Sequence, residues 1–156
     1  MFTIDGHNLL HAVLKAEDAP EAFGDLELCG IVGRYIELTG RPGVMVFDGA
    51  GPRDKSGFDD VGNLEVVFAG LGADADTVIE DKISASTAPK RLAVVSSDRR
   101  LRKAALTRKC TSIKSEAFWE DVCRQLSRKR PAQEPAAKRQ GLSESETDQW
   151  LDAFGF

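Results

Sequence analysis

The sequence predicts an α/β fold, a mainly parallel sheet with helices on both faces, and three observations predict it. Short apolar runs recur at residues 1–4, 44–47, 64–69 and 92–95, each the length of a buried strand. Stretches with helical spacing of apolar residues separate them, and strands that alternate with helices pair in parallel. Acidic motifs follow the runs: Ile4-Asp5-Gly6-His7-Asn8, Phe47-Asp48-Gly49, Ala75-Asp76-Thr77-Val78-Ile79-Glu80 after a glycine-rich turn, and Ser96-Ser97-Asp98. In an open sheet the residues just past the carboxyl ends of the strands line one crevice, so carboxylates remote in sequence are expected to converge there.

The elements follow in order. Residues 1–4 read as the first strand and 8–16 as a helix with Leu9, Leu10, Val13 and Leu14 on one side. A second helix is expected over 22–38, bounded by Pro20 before and by Gly40 and Pro42 after; Gly30 and Gly33 inside it mark close packing against a neighbour. Residues 44–47 form a buried strand, and 49–63 a polar loop rich in Gly and Asp. A third strand is expected over 64–69, a helix over 74–84, a fourth strand over 92–96, a basic helix over 98–107 and a fifth strand over 111–113. Ser115 then caps a helix whose Phe118, Val122 and Leu126 share one face. Right-handed crossovers leave few topologies for such a chain.

The domain expected from this pattern covers residues 1–126. Residues 127–141 are basic, hold two prolines and lack periodicity, as a flexible linker does. Residues 142–156 read as a short amphipathic helix, with Ser143 and Glu146 as a capping box and Trp150, Leu151 and Phe154 on one stripe. So short a helix is marginal alone and is expected to dock, with a protein partner favoured over this domain or a second copy.

Composition excludes several classes. The apolar runs are too short for a membrane span, and the N-terminus has no basic region of a signal peptide. Three cysteines, Cys29, Cys110 and Cys123, lack paired or metal-type spacing and read as reduced thiols of a cytoplasmic protein. His7 and His11 have no partner at zinc spacing, and neither a Ser-His-Asp set nor a phosphate-binding glycine loop is evident. The net charge of −4 conceals a division: residues 1–88 hold 6 Lys/Arg against 16 Asp/Glu, and residues 89–141 hold 15 against 5. An acidic half suits a metal ion and a basic half suits a phosphate polymer, although a solvated surface has the same composition.

Each acidic motif supports two readings. Asp5 and Asp98, past the first and fourth strands, are natural ligands of a hard cation, with Asn8 and the serines orienting them or binding phosphate; they are equally natural helix caps. Asp76 and Glu80 share a helix face, whereas Asp76 alone also gains from the helix dipole. Asp74 reads as a cap, and Asp48-Gly49 is a turn signal in its own right. The basic cluster Arg99, Arg100, Arg102, Lys103, Arg108 and Lys109 directly follows Asp98 and would bring phosphates near the carboxylates.

These residues resemble the YacP-like branch of the NYN domain family, within the wider PIN-like nuclease superfamily. The resemblance rests on IDGHN at 4–8, FDG at 47–49, ADTVIE at 75–80 and SSDRRL at 96–101, in the family's order and spacing over residues 1 to about 126. It implies a PIN-like parallel α/β sheet and metal-dependent RNA cleavage. Asp5, Asn8, Asp76 and Asp98 fall on the family's acidic-site positions, Asp76 being preferred to Asp74 for that reason, and Asp48 falls near them. His7 stands where tyrosine is frequent in related bacterial proteins. Arg99 and Arg100 follow Asp98, so a fourth acid is unplaced and one metal ion or two are open. The linker and terminal helix lie outside the resemblance.

The expected function is that of an endoribonuclease using Mg²⁺ or Mn²⁺. Asp5, Asp76, Asp98 and Glu80 are the expected metal ligands. Asn8, Ser97, Arg99, Arg100, Arg102 and Lys103 are expected on the RNA, with Asp48 and Asp74 as further candidates. A phosphohydrolase of small esters is one alternative; a haloacid-dehalogenase type would need a second aspartate two residues after Asp5, where His7 stands. A non-catalytic RNA- or partner-binding module is the other.

Overall fold

The protein is described by a computed structural model covering residues 1–16, 19–59 and 61–129. The helix expected over 142–156 and most of the linker lie outside the described residues. Strands are β1 (Phe2–Asp5), β2 (Gly43–Phe47), β3 (Leu64–Phe68), β4 (Ala93–Val95) and β5 (Thr111–Ile113). Helices are α1 (Gly6–Leu14), α2 (Asp25–Thr39), α3 (Ala75–Ala85), α4 (Arg99–Thr107) and α5 (Ser115–Lys129), with short 3₁₀ turns at Ser56–Phe58 and Pro89–Arg91. The strands form one sheet in the order β3-β2-β1-β4-β5, with every pairing parallel.

Both faces of the sheet are covered, which is why β1 and β2 are buried at every residue. The strand period of two divides the side chains between two cores. Phe2, Ile4, Met45, Phe47, Ala93 and Val95 pack against α1, α2 and α5. Val44, Val46 and Val94 pack against Ile79 and Ile83 of α3 and Leu101 and Ala105 of α4. The chain runs outward from β1 to β2 and β3, then returns to lay β4 on the other side of β1. The strand order therefore reverses between β1 and β4, and such a switch point opens the crevice in which α/β sheets bind ligands.

Helix starts differ from the expectation, those of α3 and α4 by one residue because Asp74 and Asp98 cap these helices from outside. α1 begins at Gly6 because Asp5 is its cap, accepting the Asn8 N–H at 3.4 Å. Gly6 is required there: a Cβ would lie 2.4 Å from the Phe47 ring. α2 begins at Asp25, where the Gly24 N–H donates to the Glu27 carboxylate at 3.0 Å, and it ends at Gly40 with φ +68°. α5 begins at Ser115 itself and continues to Lys129, so residues 127–129 of the expected linker are helical. Gly33 does mark a close approach, since a Cβ would meet the Val61 carbonyl oxygen at 2.9 Å; the 49–63 loop folds down onto α2 there.

Candidate active site

Asp5 closes β1 and is 6% exposed. Its two oxygens accept from the Asn8 N–H and from the Ser96 hydroxyl at 3.1 Å. Burial pushes its carboxyl up to about 6 against the relief these hydrogen bonds give, and the charges of Asp76 and Asp48 push the same way. Asp98 follows β4 and caps α4, accepting the N–H groups of Arg100 at 2.9 Å and Leu101 at 3.2 Å. Its own N–H donates to Ser96 Oγ at 3.1 Å. A single buried hydroxyl, that of Ser96, therefore ties the loop behind Asp98 to the Asp5 carboxylate across the switch point.

Asp76 enters from the first turn of α3. Burial raises its carboxyl first, then the charges of Asp98 and Asp74; Arg100 opposes them, and Asp48 adds a smaller push. The charge of Asp76 is thus felt at Asp5, and that of Asp98 at Asp76, from three segments remote in sequence. Asp48 is exposed and holds α3 from outside, accepting the Ala75 N–H at 2.8 Å. Asp74 is the local cap of α3, accepting the Thr77 N–H at 2.8 Å, and its hydrogen bonds from Thr77 hold its carboxyl below the usual range. His7 lies between two carboxylates, 3.5 Å from Asp48 and 3.5 Å from Asp25, with its ring against Phe47.

Several expected roles meet other partners. Glu80, expected among the metal ligands, and Arg100, expected on RNA, are bound to each other through two guanidinium contacts, one of 3.2 Å. The Ser97 N–H is taken by Asn8 Oδ1 at 2.9 Å and its hydroxyl by Glu116 at 2.6 Å. Arg108 spans from α4 to the carbonyl oxygens of Ile83, Ser84 and Ser86, so it anchors the end of α3. Arg99 and Lys103 are exposed, and Arg102 is partly buried, its Nε without a hydrogen-bond partner. Ser115, expected to cap α5, turns its hydroxyl to Asn8 Oδ1 at 2.6 Å instead. Sequence reasoning missed this role of Ser115 and the placing of Glu116. The available signal was the run Ile113-Lys114-Ser115-Glu116, which repeats the pattern of a strand followed by a serine and an acid.

Among the described residues, no three His, Cys, Asp or Glu side chains lie close enough to enclose an ion by themselves. The donors are nonetheless hard carboxylate oxygens whose mutual repulsion a cation would relieve, and Mg²⁺ keeps several waters when held by one or two carboxylates. The set fits a partly hydrated divalent ion in its chemistry.

The fold is similar to that in the crystal structure of Rae1 (YacP) from Bacillus subtilis, with a TM-score of 0.64 and 22% identity, covering 99% of this chain and 91% of that one. The W164L mutant of the same protein gives a TM-score of 0.62 and 21% identity, covering 98% of each chain. No curated protein sequence matches this chain. The sequence profile of the YacP-like NYN domain matches residues 2–153, beyond the limit near 126 expected from the motifs, so the resemblance takes in the linker and most of the terminal segment. With almost its whole length matched, the chain belongs to the YacP-like NYN domain family.

Proposed function

We propose that this protein is a divalent-metal-dependent endoribonuclease. The family is one of nuclease-like RNA-processing domains, which supports RNA as the substrate class. The observation that supports the reading is that the Ser96 hydroxyl joins Asp5 to the Asp98 backbone at the switch point, while the charge of Asp76 reaches Asp5 and that of Asp98 reaches Asp76. Carboxylates crowded in this way are costly to the apo fold, and their retention is accounted for by a cationic ligand.

Asp5, Asp76 and Asp98 would hold Mg²⁺ or Mn²⁺, without Glu80, whose charge Arg100 already balances. Such an ion supplies a water acidified for attack and neutralises charge on the phosphoryl oxygens. The chain's own residues do the rest. The Asp5 carboxylate is held by the Ser96 hydroxyl and the Asp98 carboxylate by the N–H groups of Arg100 and Leu101, so neither must be ordered when substrate arrives. Asn8 offers amide donors beside Asp5. Arg99 and Lys103 on α4 are exposed and would meet flanking phosphates of a single strand. Attack by water at phosphorus with departure of the 3′-oxygen, which takes up a proton, would leave a 5′-phosphate and a 3′-hydroxyl.

No helix among the described residues is long and apolar enough to cross a membrane, and the cytoplasm is the proposed compartment. A protein partner for the 142–156 segment belongs to the same proposal. The test is cleavage of end-labelled RNA with and without Mn²⁺, wild type beside Asp98→Asn. Cleavage by the wild type alone, and only with metal, is expected; cleavage that persists in excess chelator overturns the reading.

A further inference from the structure

Asn8 lies in the first turn of α1, half-buried, and its side-chain carbonyl oxygen is doubly occupied. The Ser97 backbone N–H donates to Oδ1 at 2.9 Å and the Ser115 hydroxyl donates to it at 2.6 Å. A backbone N–H can only donate, so the amide atom facing it is the oxygen, and the orientation of the amide follows from the main chain. Both lone pairs of Oδ1 are then used. Among the described residues, no protein acceptor takes the two Nδ2–H donors. Asn8 therefore presents donors alone in the turn that follows Asp5, a choice that suits an anionic oxygen and not a cation.

Ser115 is fully buried and opens α5. A serine there ordinarily caps its own helix, but this hydroxyl reaches α1 across 107 residues of chain. The Ser115 N–H donates to Ser97 Oγ at 3.0 Å, and Ser97 Oγ donates in turn to Glu116, holding that carboxyl below its usual range. The starts of α1 and α5 and the loop after β4 are thus closed on one another through Asn8 Oδ1.

We propose that Ser115 is a positioning residue of the active site, holding the Asn8 amide by its oxygen so that the Nδ2–H donors meet a non-bridging oxygen of the scissile phosphate. The assignment rests on the nuclease reading, and it adds a residue that none of the four sequence motifs contains.

Two measurements test it. Asn8 and Asn63 are the chain's two asparagines, so ¹⁵N-asparagine labelling gives two side-chain amide pairs. Ser115→Ala should shift the Asn8 pair and leave the Asn63 pair in place. Cleavage should fall roughly tenfold in kcat, as loss of an orienting group does, with KM little changed because other phosphates supply most RNA affinity. In an Asn8→Ala background the same Ser115→Ala change should add less than about twofold, since the two residues act as one unit. Asn8→Asp keeps both acceptor contacts but replaces the donors with an anionic oxygen; it should fold as the wild type does and cut as poorly as Asn8→Ala. An unmoved Asn8 amide, or an equal rate loss from Ser115→Ala in both backgrounds, overturns the positioning role. Full activity in Ser115→Ala beside an inactive Asp5→Asn overturns that role alone. Undiminished cleavage by Asp5→Asn overturns the nuclease reading itself.

Discussion

Arg100 grips the Glu80 carboxylate with two guanidinium nitrogens, Nε to Oε1 and Nη2 to Oε2 at 3.2 Å, and so bridges α4 to α3. The pair is partly exposed, so its contribution to stability is small. Its consequence lies at the site, because a carboxylate bound to a guanidinium is not free for a metal ion. Glu80→Gln should therefore retain most cleavage, losing less than the roughly tenfold expected for an orienting group. Single-turnover cleavage of labelled RNA measures this. A Glu80→Gln protein as inactive as Asp98→Asn would return Glu80 to the metal ligands.

On the proposed nuclease reading, Asp5, Asp76 and Asp98 remain as the metal ligands, and metal dependence is the expected outcome. Asp5→Asn should abolish cleavage while the circular dichroism spectrum stays that of the wild type. Chelator should stop the wild type, and added Mn²⁺ should restore it but leave Asp5→Asn inactive. Rescue of Asp5→Asn by Mn²⁺ to wild-type rate would remove Asp5 from the reaction.

The same aspartate makes stability depend on pH in a definite direction. Its carboxyl is raised from 3.8 to about 6, so the folded protein holds the proton more tightly than the unfolded chain. The folded state is unpenalised below the unfolded value and loses stability as pH rises from about 4 through about 6. At about 1.4 kcal/mol per unit, the loss is on the order of 3 kcal/mol. In chelator, Asp5→Asn should thus gain stability over the wild type between pH 4 and pH 7. Urea midpoints of both proteins at the two ends decide it, and a gap that does not change with pH would contradict the burial argument.

RNA affinity should depend steeply on salt, with α4 supplying part of the slope. Arg99 and Lys103 are exposed, whereas Arg100 is engaged by Glu80. Each phosphate contact on a single strand contributes about 0.7 to the slope, so replacing both residues by alanine should lower it by about 1.4. Fluorescence anisotropy in the Asp5→Asn background, where RNA stays intact, provides the measurement. Unchanged slopes would make this face a solvated surface only.

Tyr35 offers a control remote from the crevice. Its hydroxyl donates to Asp121 at 2.6 Å, tying α2 to α5, and this contact first, with Arg124 and Gln125 helping, holds the Asp121 carboxyl below its usual range. A hydrogen bond to a charged group is worth about 1.5 kcal/mol or more, so Tyr35→Phe should lower Tm at pH 7 without altering cleavage. A depressed carboxyl stabilises above its unfolded pKa and loses that effect as pH falls through the folded value. The difference between Tyr35→Phe and wild type should accordingly narrow in acid. A difference constant from pH 7 to pH 3 would place the loss in packing instead.

The sequence by itself determined the strands, the α/β class and the acidic residues at the strand ends. These are encoded locally, by apolar periodicity and by turn and cap chemistry that act over a few residues. Asp74 and Asp98 cap the helices that follow them, and Ser96 bonds a site carboxylate, as residue type and position imply. Boundaries were less legible, because whether Asp5 or Asn8 starts α1 depends on how closely Gly6 can approach Phe47. Only the tertiary structure decided the strand order, which brings β4 beside β1 and so Asp98 beside Asp5. It also decided that Glu80 pairs with Arg100 and that Ser115 serves Asn8 rather than its own helix. Such partners are chosen by the packing of whole helices on the sheet, and no pattern within a short window of sequence encodes that choice.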